Sequence, residues 1–193
     1  MLRKGPMRRH TRSLVGLFQK TFGHLPEIRG AEIGVWRGHN SQHLLTQLPY
    51  LFLYMIDRYR PFSQSEAAVD FQMGTLSQAD FDAAYQEAIR LTKFAEGRTE
   101  FWVMTANDAA CDMPDGSLDF VFLDGCHDFD SIRADLEAWP NKLRNGGILC
   151  GHDYNGSGDR RGRFGVKKAV DAWAAENDKE IETLPGHVWW ASL

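Results

Sequence analysis

The stretch Asp119-Phe120-Val121-Phe122-Leu123-Asp124-Gly125-Cys126-His127 decides how this chain is read. Phe120 to Leu123 is solidly apolar, as in a strand buried on both faces of a sheet. Asp128 then stands as a helix cap, with Phe129, Ile132, Leu136 and Trp139 at helical spacing behind it. Asn145-Gly146-Gly147 ends that helical unit, and Ile148 to Cys150 forms the next strand. Strand, helix and strand in about thirty residues make a βαβ unit, which implies a parallel sheet.

The pattern repeats on either side. Upstream, Ala31 to Val35 reads as a strand, Asn40 to Gln47 as a helix, and Leu51 to Ile56 as a second strand. Residues 60 to 78 read as an irregular connection, a candidate lid. A helix resumes near Asp80, and Phe101 to Met104 is the third strand. Downstream, a Gly- and Arg-rich loop, Tyr154 to Gly165, leads to a helix marked by Val166, Ala169, Val170 and Trp173. Glu180 to Leu193 reads as an antiparallel hairpin around Pro185-Gly186. Leu14, Leu17, Phe18 and Phe22 open the chain with an amphipathic helix. The expected class is α/β, doubly wound, with helices on both faces of a mostly parallel sheet. A basic helical segment, residues 1–27, precedes the domain proper, 28–193.

Composition narrows the function classes. A chain of 193 residues holds one ordinary domain, and its net charge of −4 does not suit a general nucleic-acid binder. The first twenty residues carry six bases and no acid, leaving 16 bases against 26 acids in the remainder. The longest apolar run, Leu48 to Ile56, is nine residues long and cannot span a bilayer. Three cysteines without a close pair read as free thiols in a reducing, cytoplasmic setting.

In parallel sheets the ligand sits at the carboxyl ends of the strands, where strand order reverses. Glu32, Asp57, Asp124 and Asp153 all fall there. Four acids on one edge are costly unless a cation or a set of hydroxyl donors relieves them. Gly34 and Gly38 permit a tight first turn and close ligand approach, but the three-glycine dinucleotide pattern is incomplete. Asp57 ends the strand after that turn, where an acid accepts hydrogen bonds from both hydroxyls of a ribose.

These residues resemble a family. Glu32-x-Gly34-x-x-x-Gly38, Asp57, Asp124-Gly-x-His127, Asp135-Leu, Trp139, Gly146-Gly147 and Gly151-His152-Asp153-Tyr154 are similar to class I S-adenosylmethionine-dependent methyltransferases, in the methyltransferase family 24 branch. The resemblance covers residues 28 to 178 and implies a Rossmann-like sheet of seven strands, the hairpin supplying the last two. It implies that Glu32, Gly34 and Gly38 lie along the methionine part of the cofactor, that Asp57 takes the ribose, and that Asp108 meets the adenine amino group. Asp108 reads equally as a helix cap.

Methyl transfer to an alcohol needs a general base or a divalent cation. Asp124, His152 and Asp153 form the candidate ligand set for Mg²⁺ or another divalent cation; the alternative is that each carboxylate is bound separately by backbone amides. His127, three residues after Asp124, is the candidate base, as a neutral imidazole near pH 7, or else a solvated loop residue. Arginines 160, 161 and 163 are placed to clamp a phosphate or carboxylate on the acceptor. The expected activity is transfer of a methyl group from S-adenosylmethionine to an oxygen of a small molecule, such as a sugar or natural product. The alternatives are a non-catalytic nucleotide-binding protein and a nicotinamide-dependent oxidoreductase.

Overall fold

A computed structural model describes residues 6–155 and 163–193. Five strands, β1 (Ile28–Ile33), β2 (Leu51–Ile56), β3 (Thr99–Trp102), β4 (Leu118–Leu123) and β5 (Leu143–Gly151), pair in parallel. The hairpin strands β6 (Glu182–Leu184) and β7 (Val188–Ser192) close one edge, β7 antiparallel to β5. The order is β3-β2-β1-β4-β5-β7-β6, a doubly wound sheet whose direction of winding reverses between β1 and β4. This is the seven-stranded arrangement expected from the sequence.

Helices cover both faces because the strands are apolar on both. On one side α1 (Arg9–Phe22) and α2 (His39–Gln47) pack Leu14, Phe18, Leu44 and Leu45 against Phe120, Phe122 and Leu53. Phe18 stacks on Phe120 with ring centroids 4.0 Å apart. On the other side α6 (Ala106–Asp112), α7 (Phe129–Ala138) and α8 (Val166–Glu176) enclose Val121, Leu123, Leu149, Leu136, Trp139 and Trp173. Each fully buried side chain of this size contributes about 1.5–3 kcal/mol. Asp119 opens β4 at the far end of the sheet from the acids discussed below. It accepts from the Arg29 amide (2.6 Å) and pairs with Arg144, so it ties β1, β4 and β5 together.

Several boundaries differ from expectation, each for a local reason. The first strand begins at Ile28 rather than Ala31 because pairing with Leu51, Phe52 and Leu53 carries Ile28, Arg29 and Gly30 into the ladder. β3 lies two residues earlier than expected, and Thr105 caps the unpredicted α6 by accepting from the Asp108 amide (3.2 Å). Gly146 and Gly147 do not end a unit but lie within β5, where the β4–β5 register shifts. Residues 60–78 are not irregular. They contain α3 (Gln64–Val69), opened by a capping box of Ser63 and Glu66, and α4 (Phe71–Gly74), capped by Asp70. The long helix α5 (Gln78–Thr92) follows, with a second capping box of Ser77 and Asp80. Asp128 caps α7, accepting from the Ser131 amide (3.0 Å) as expected. All three cysteines are free, and no helix among the described residues is long and apolar enough to cross a membrane.

Candidate active site

A cavity of about 910 Å³ opens at the carboxyl ends of the parallel strands, a size that suits a cofactor together with a small molecule. Two non-glycine residues at its wall, Trp36 (φ 50°) and Asp153 (φ 56°), and Tyr59 (φ 46°), two residues beyond the lining Asp57, adopt left-handed backbone conformations. They follow β1, β5 and β2 respectively. Such strain persists only where the surroundings over-determine it, and it concentrates at ligand sites.

The first half of the cavity is built by the turns after β1 and β2. Gly34 (φ 91°) lies so close to the β4 turn that a Cβ would stand 2.2 Å from the Asp124 carbonyl oxygen, so glycine alone fits. Glu32 is buried; Asn40 Nδ2 (2.9 Å) and Ser41 Oγ (2.5 Å) donate to its two oxygens. Burial pushes its carboxyl up to about 7 despite those donors. Asn40 Oδ1 is buried without a hydrogen-bond partner, and Asn40 lines the cavity. Asp57 accepts from the amides of Trp36 and Tyr59, both at 2.8 Å, and burial raises it above the usual carboxylate range. Each of its oxygens keeps lone-pair capacity for a further donor.

The second half lies at β4 and β5. Donor atoms of Asp124, His152 and Asp153 all lie within 4.8 Å of one another. His152 Nδ1 stands 3.3 Å from both Asp124 Oδ1 and Asp153 Oδ2. His127 enters the same cluster: Nε2 is 3.1 Å from Asp153 Oδ2 and 4.0 Å from Asp124 Oδ1, and Nδ1 is 3.3 Å from Asp70 Oδ2. Nε2 is buried and lacks the geometry of a hydrogen bond. Phe164 stacks on the His127 ring at 4.3 Å. Burial disfavours both imidazolium ions, but the carboxylates outweigh it: His152 rises to about 10 and His127 well above its ordinary value. Asp124, pushed up by burial, is held below the usual range by the two histidines. The carboxylates around His127 thus favour its protonated form, against the neutral imidazole expected of a base near pH 7.

The remaining sequence candidates fall differently. Gly38 (φ 72°) begins α2 and does not line the cavity; a Cβ there would meet Ala88 of α5 at 2.9 Å. Asp108 lies outside the cavity wall, which is formed by Thr105, Ala106 and Asn107, and it accepts from Thr105 Oγ1 (2.7 Å). Arginines 160 and 161 lie outside the described residues. Arg163 donates to the Ala68 carbonyl (2.5 Å) and so joins its loop to α3.

The structure adds residues that sequence reading missed. Asp70 comes from the α3–α4 segment, which is also held by Cys126 Sγ donating to Glu66 (3.3 Å) and Arg58 pairing with Glu66 (2.9 Å). Burial and Glu66 push the Cys126 thiol up to about 12, so it is no nucleophile. Arg8 and His10 of the basic N-terminal segment also line the cavity. The His10 ring sits 4.4 Å from that of His152, and burial lowers its pKa to about 4. Asp70 has only a local role as the cap of α4 and His10 belongs to no local motif, so no signal in the sequence marks their place in the site.

Strand order, the cavity at the winding reversal and the acids at four strand ends define a Rossmann-like transferase. A family model described as a methyltransferase domain, of the branch numbered 24, matches residues 31–154. The chain belongs to that family and is an S-adenosylmethionine-dependent methyltransferase. This decides against the nicotinamide reading. No curated protein matches in sequence.

Solved structures share the fold. The O-methyltransferase NovP is 15% identical, with a TM-score of 0.70 over 95% of this chain and 79% of its own. The precorrin-6y C5,15-methyltransferase of Geobacter metallireducens is 12% identical, with 0.63 over 100% and 94%. The 1,6-didemethyltoxoflavin-N1-methyltransferase of Burkholderia thailandensis, solved with S-adenosylhomocysteine, is 13% identical, with 0.61 over 94% and 77%. Their names specify oxygen, carbon and nitrogen acceptors, so the fold alone leaves the acceptor atom open.

Proposed function

We propose that this enzyme methylates a hydroxyl oxygen of a small molecule, of the sugar or natural-product kind, with a divalent cation at Asp124, His152 and Asp153. The observation that carries the reading is this cluster of two carboxylates that line the cofactor cavity and an imidazole within 4.8 Å of both. The donor set fits Mg²⁺ or Mn²⁺, with the histidine admitting a transition metal. His127 stands beside it, its Nε2 3.1 Å from Asp153 Oδ2 but without the geometry of a hydrogen bond.

Asp57 holds the ribose hydroxyls on lone pairs left over from the Trp36 and Tyr59 amides. Asn40 Oδ1 accepts from the ammonium of the methionine moiety, and Glu32 fixes Asn40 from behind. Gly34 lets the chain approach the sulfonium without a side chain between. A cation held by Asp124, His152 and Asp153 would supply a lowered pKa at the acceptor hydroxyl, and with those carboxylates engaged His127 would release its own proton to solvent and stand as a free base. His127 then takes the hydroxyl proton at Nε2, with Asp70 holding Nδ1. Arg8 and Arg163, at the cavity and the adjoining loop, suit an anionic acceptor.

The test is a panel of hydroxylated acceptors with radiolabelled S-adenosylmethionine, assayed with chelator and again after Mg²⁺ or Mn²⁺ is restored. Base-resistant label that appears only with metal is expected. Label transferred equally well in chelator, or transferred to nitrogen, overturns the reading.

A further inference from the structure

One acid of the cavity has no part in the mechanism above. Asp135 sits on the inner face of α7, is only 6% exposed, and lines the cavity with Ser131 and Ala134. Among the described residues its carboxyl has no hydrogen bond or ion pair. A buried carboxyl without a partner is destabilising, and each such group in a folded protein calls for an explanation. A ligand that completes it is the simplest one.

The position within the cavity selects the ligand. The Asp57 amide donates to the Trp102 carbonyl (3.2 Å), so the segment after β3 starts beside the ribose site. That segment, Thr105-Ala106-Asn107, forms one wall, and α6, which it begins, packs against α7. A nucleoside with its ribose on Asp57 therefore has its base between Thr105–Asn107 and Asp135. Asp108, the acid expected at the base, is bound to Thr105 and does not face this space.

We propose that Asp135 reads the adenine of the cofactor by accepting a hydrogen bond from its 6-amino group. The inference rests on the S-adenosylmethionine reading and adds the residue that selects the base. Burial and the neighbouring Asp128 push the Asp135 carboxyl up to about 7, so its protonated form is within reach. In that form one oxygen accepts from the amino group while the hydroxyl donates to a ring nitrogen. Ser131, one turn earlier, offers a further donor at the same wall.

The test compares S-adenosylhomocysteine with its 6-deamino analogue, the purine riboside, by calorimetry on the full chain. The wild type should bind the deamino analogue about tenfold to a hundredfold more weakly, the scale of one hydrogen bond to an ionisable group. Asp135→Leu and Asp135→Ala should bind both ligands alike, while Asp135→Asn, whose amide oxygen still accepts, should restore the preference. Equal affinities in the wild type overturn the proposal, and that measurement needs no variant. A preference that survives in Asp135→Leu or Asp135→Ala also overturns it, because the amino group then meets something else. Failure of the wild type to bind S-adenosylhomocysteine at all defeats the underlying reading, and is distinct from both.

Discussion

The two halves of the cavity hold their carboxylates in opposite ways. At the ends of β1 and β2, Glu32 and Asp57 are met by neutral donors: an amide, a hydroxyl and backbone N–H groups. At the ends of β4 and β5, Asp124 and Asp153 are met by the imidazoles of His127 and His152. Burial acts on both halves, and the partners decide the outcome. Glu32 and Asp57 are raised, whereas Asp124 is lowered. Neutral donors fix a carboxylate without cancelling its charge, which leaves the first half suited to hydroxyls and a cationic ligand. Imidazolium ions do cancel the charge, and their protons are exchangeable for a metal ion. The first half is therefore a binding surface of fixed shape, and the second an exchangeable charge centre.

The largest expected effect tests whether the halves are separable. Asp124→Asn removes a charge from the centre while keeping its shape. Turnover should fall by about 10³-fold or more, the loss of several kcal/mol of charge stabilisation. Affinity for S-adenosylhomocysteine should stay close to that of the wild type, measured by calorimetry beside the transfer assay. If affinity falls in step with turnover, the two halves act as one site and the comparison fails.

His127→Ala should lower kcat by about 10²-fold, near the lower end for loss of a general base because His152 and the cation site remain. Asp70→Asn should cost less, since it loosens His127 without removing it. Equal kcat in wild type and His127→Ala, with and without chelator, would leave His127 as a structural bridge between Asp70 and Asp153.

These residues were not equally legible in the sequence. Asp57, Asp124 and Asp153 stand directly behind apolar strands, and the strand-end rule finds them from local pattern alone. Glu32 and Gly34 are found the same way, through the turn that follows β1. The cap at Asp128 is likewise local. By contrast Asp70 meets His127 across 57 residues, and His10 reaches His152 from the first helix. Such pairings are made by packing, which leaves no periodic trace. The α3 helix shows both limits at once. Its capping box, Ser63-x-x-Glu66, is visible in the sequence, but its six residues bury nothing, so no apolar period announces it. Of the two readings of Asp108, the place at a helix start is the one seen in its bond to Thr105, and the strand before it ends earlier than its apolar residues suggest. The helix that follows then turns Asp108 onto its own cap.

Asp57→Ala should weaken S-adenosylhomocysteine about tenfold to a hundredfold, as for lost charge-assisted hydrogen bonds. This variant also frees the Trp36 and Tyr59 amides, which hold two strained turns. Asp57→Asn sharpens the test, since its amide oxygen still accepts from one of them. A binding defect shared by both variants assigns the effect to the ribose contact; full recovery in Asn assigns it to the turns.

The smallest effect is on stability and concerns the neutral donors themselves. Glu32 rises from an ordinary 4.5 to about 7 in the folded chain. Between those values the folded state binds more protons than the unfolded state, so this group's contribution to stability falls as pH rises. The contribution is complete below pH 4.5 and is lost above pH 7. Glu32→Gln mimics the protonated acid at every pH, retaining a carbonyl oxygen for one donor and an amide that donates to the other's oxygen. The variant should gain stability over the wild type by about 1–3 kcal/mol between pH 4.5 and 7.5, read as the change in the difference of urea-unfolding free energies. The histidine-held acids contribute equally to both proteins and drop out of that difference. A difference that stays flat with pH would mean that Asn40 and Ser41 keep Glu32 ionised at ordinary pH. In that case neutral donors compensate a buried charge as fully as imidazolium ions do, and the contrast between the two halves reduces to the exchangeability of the proton.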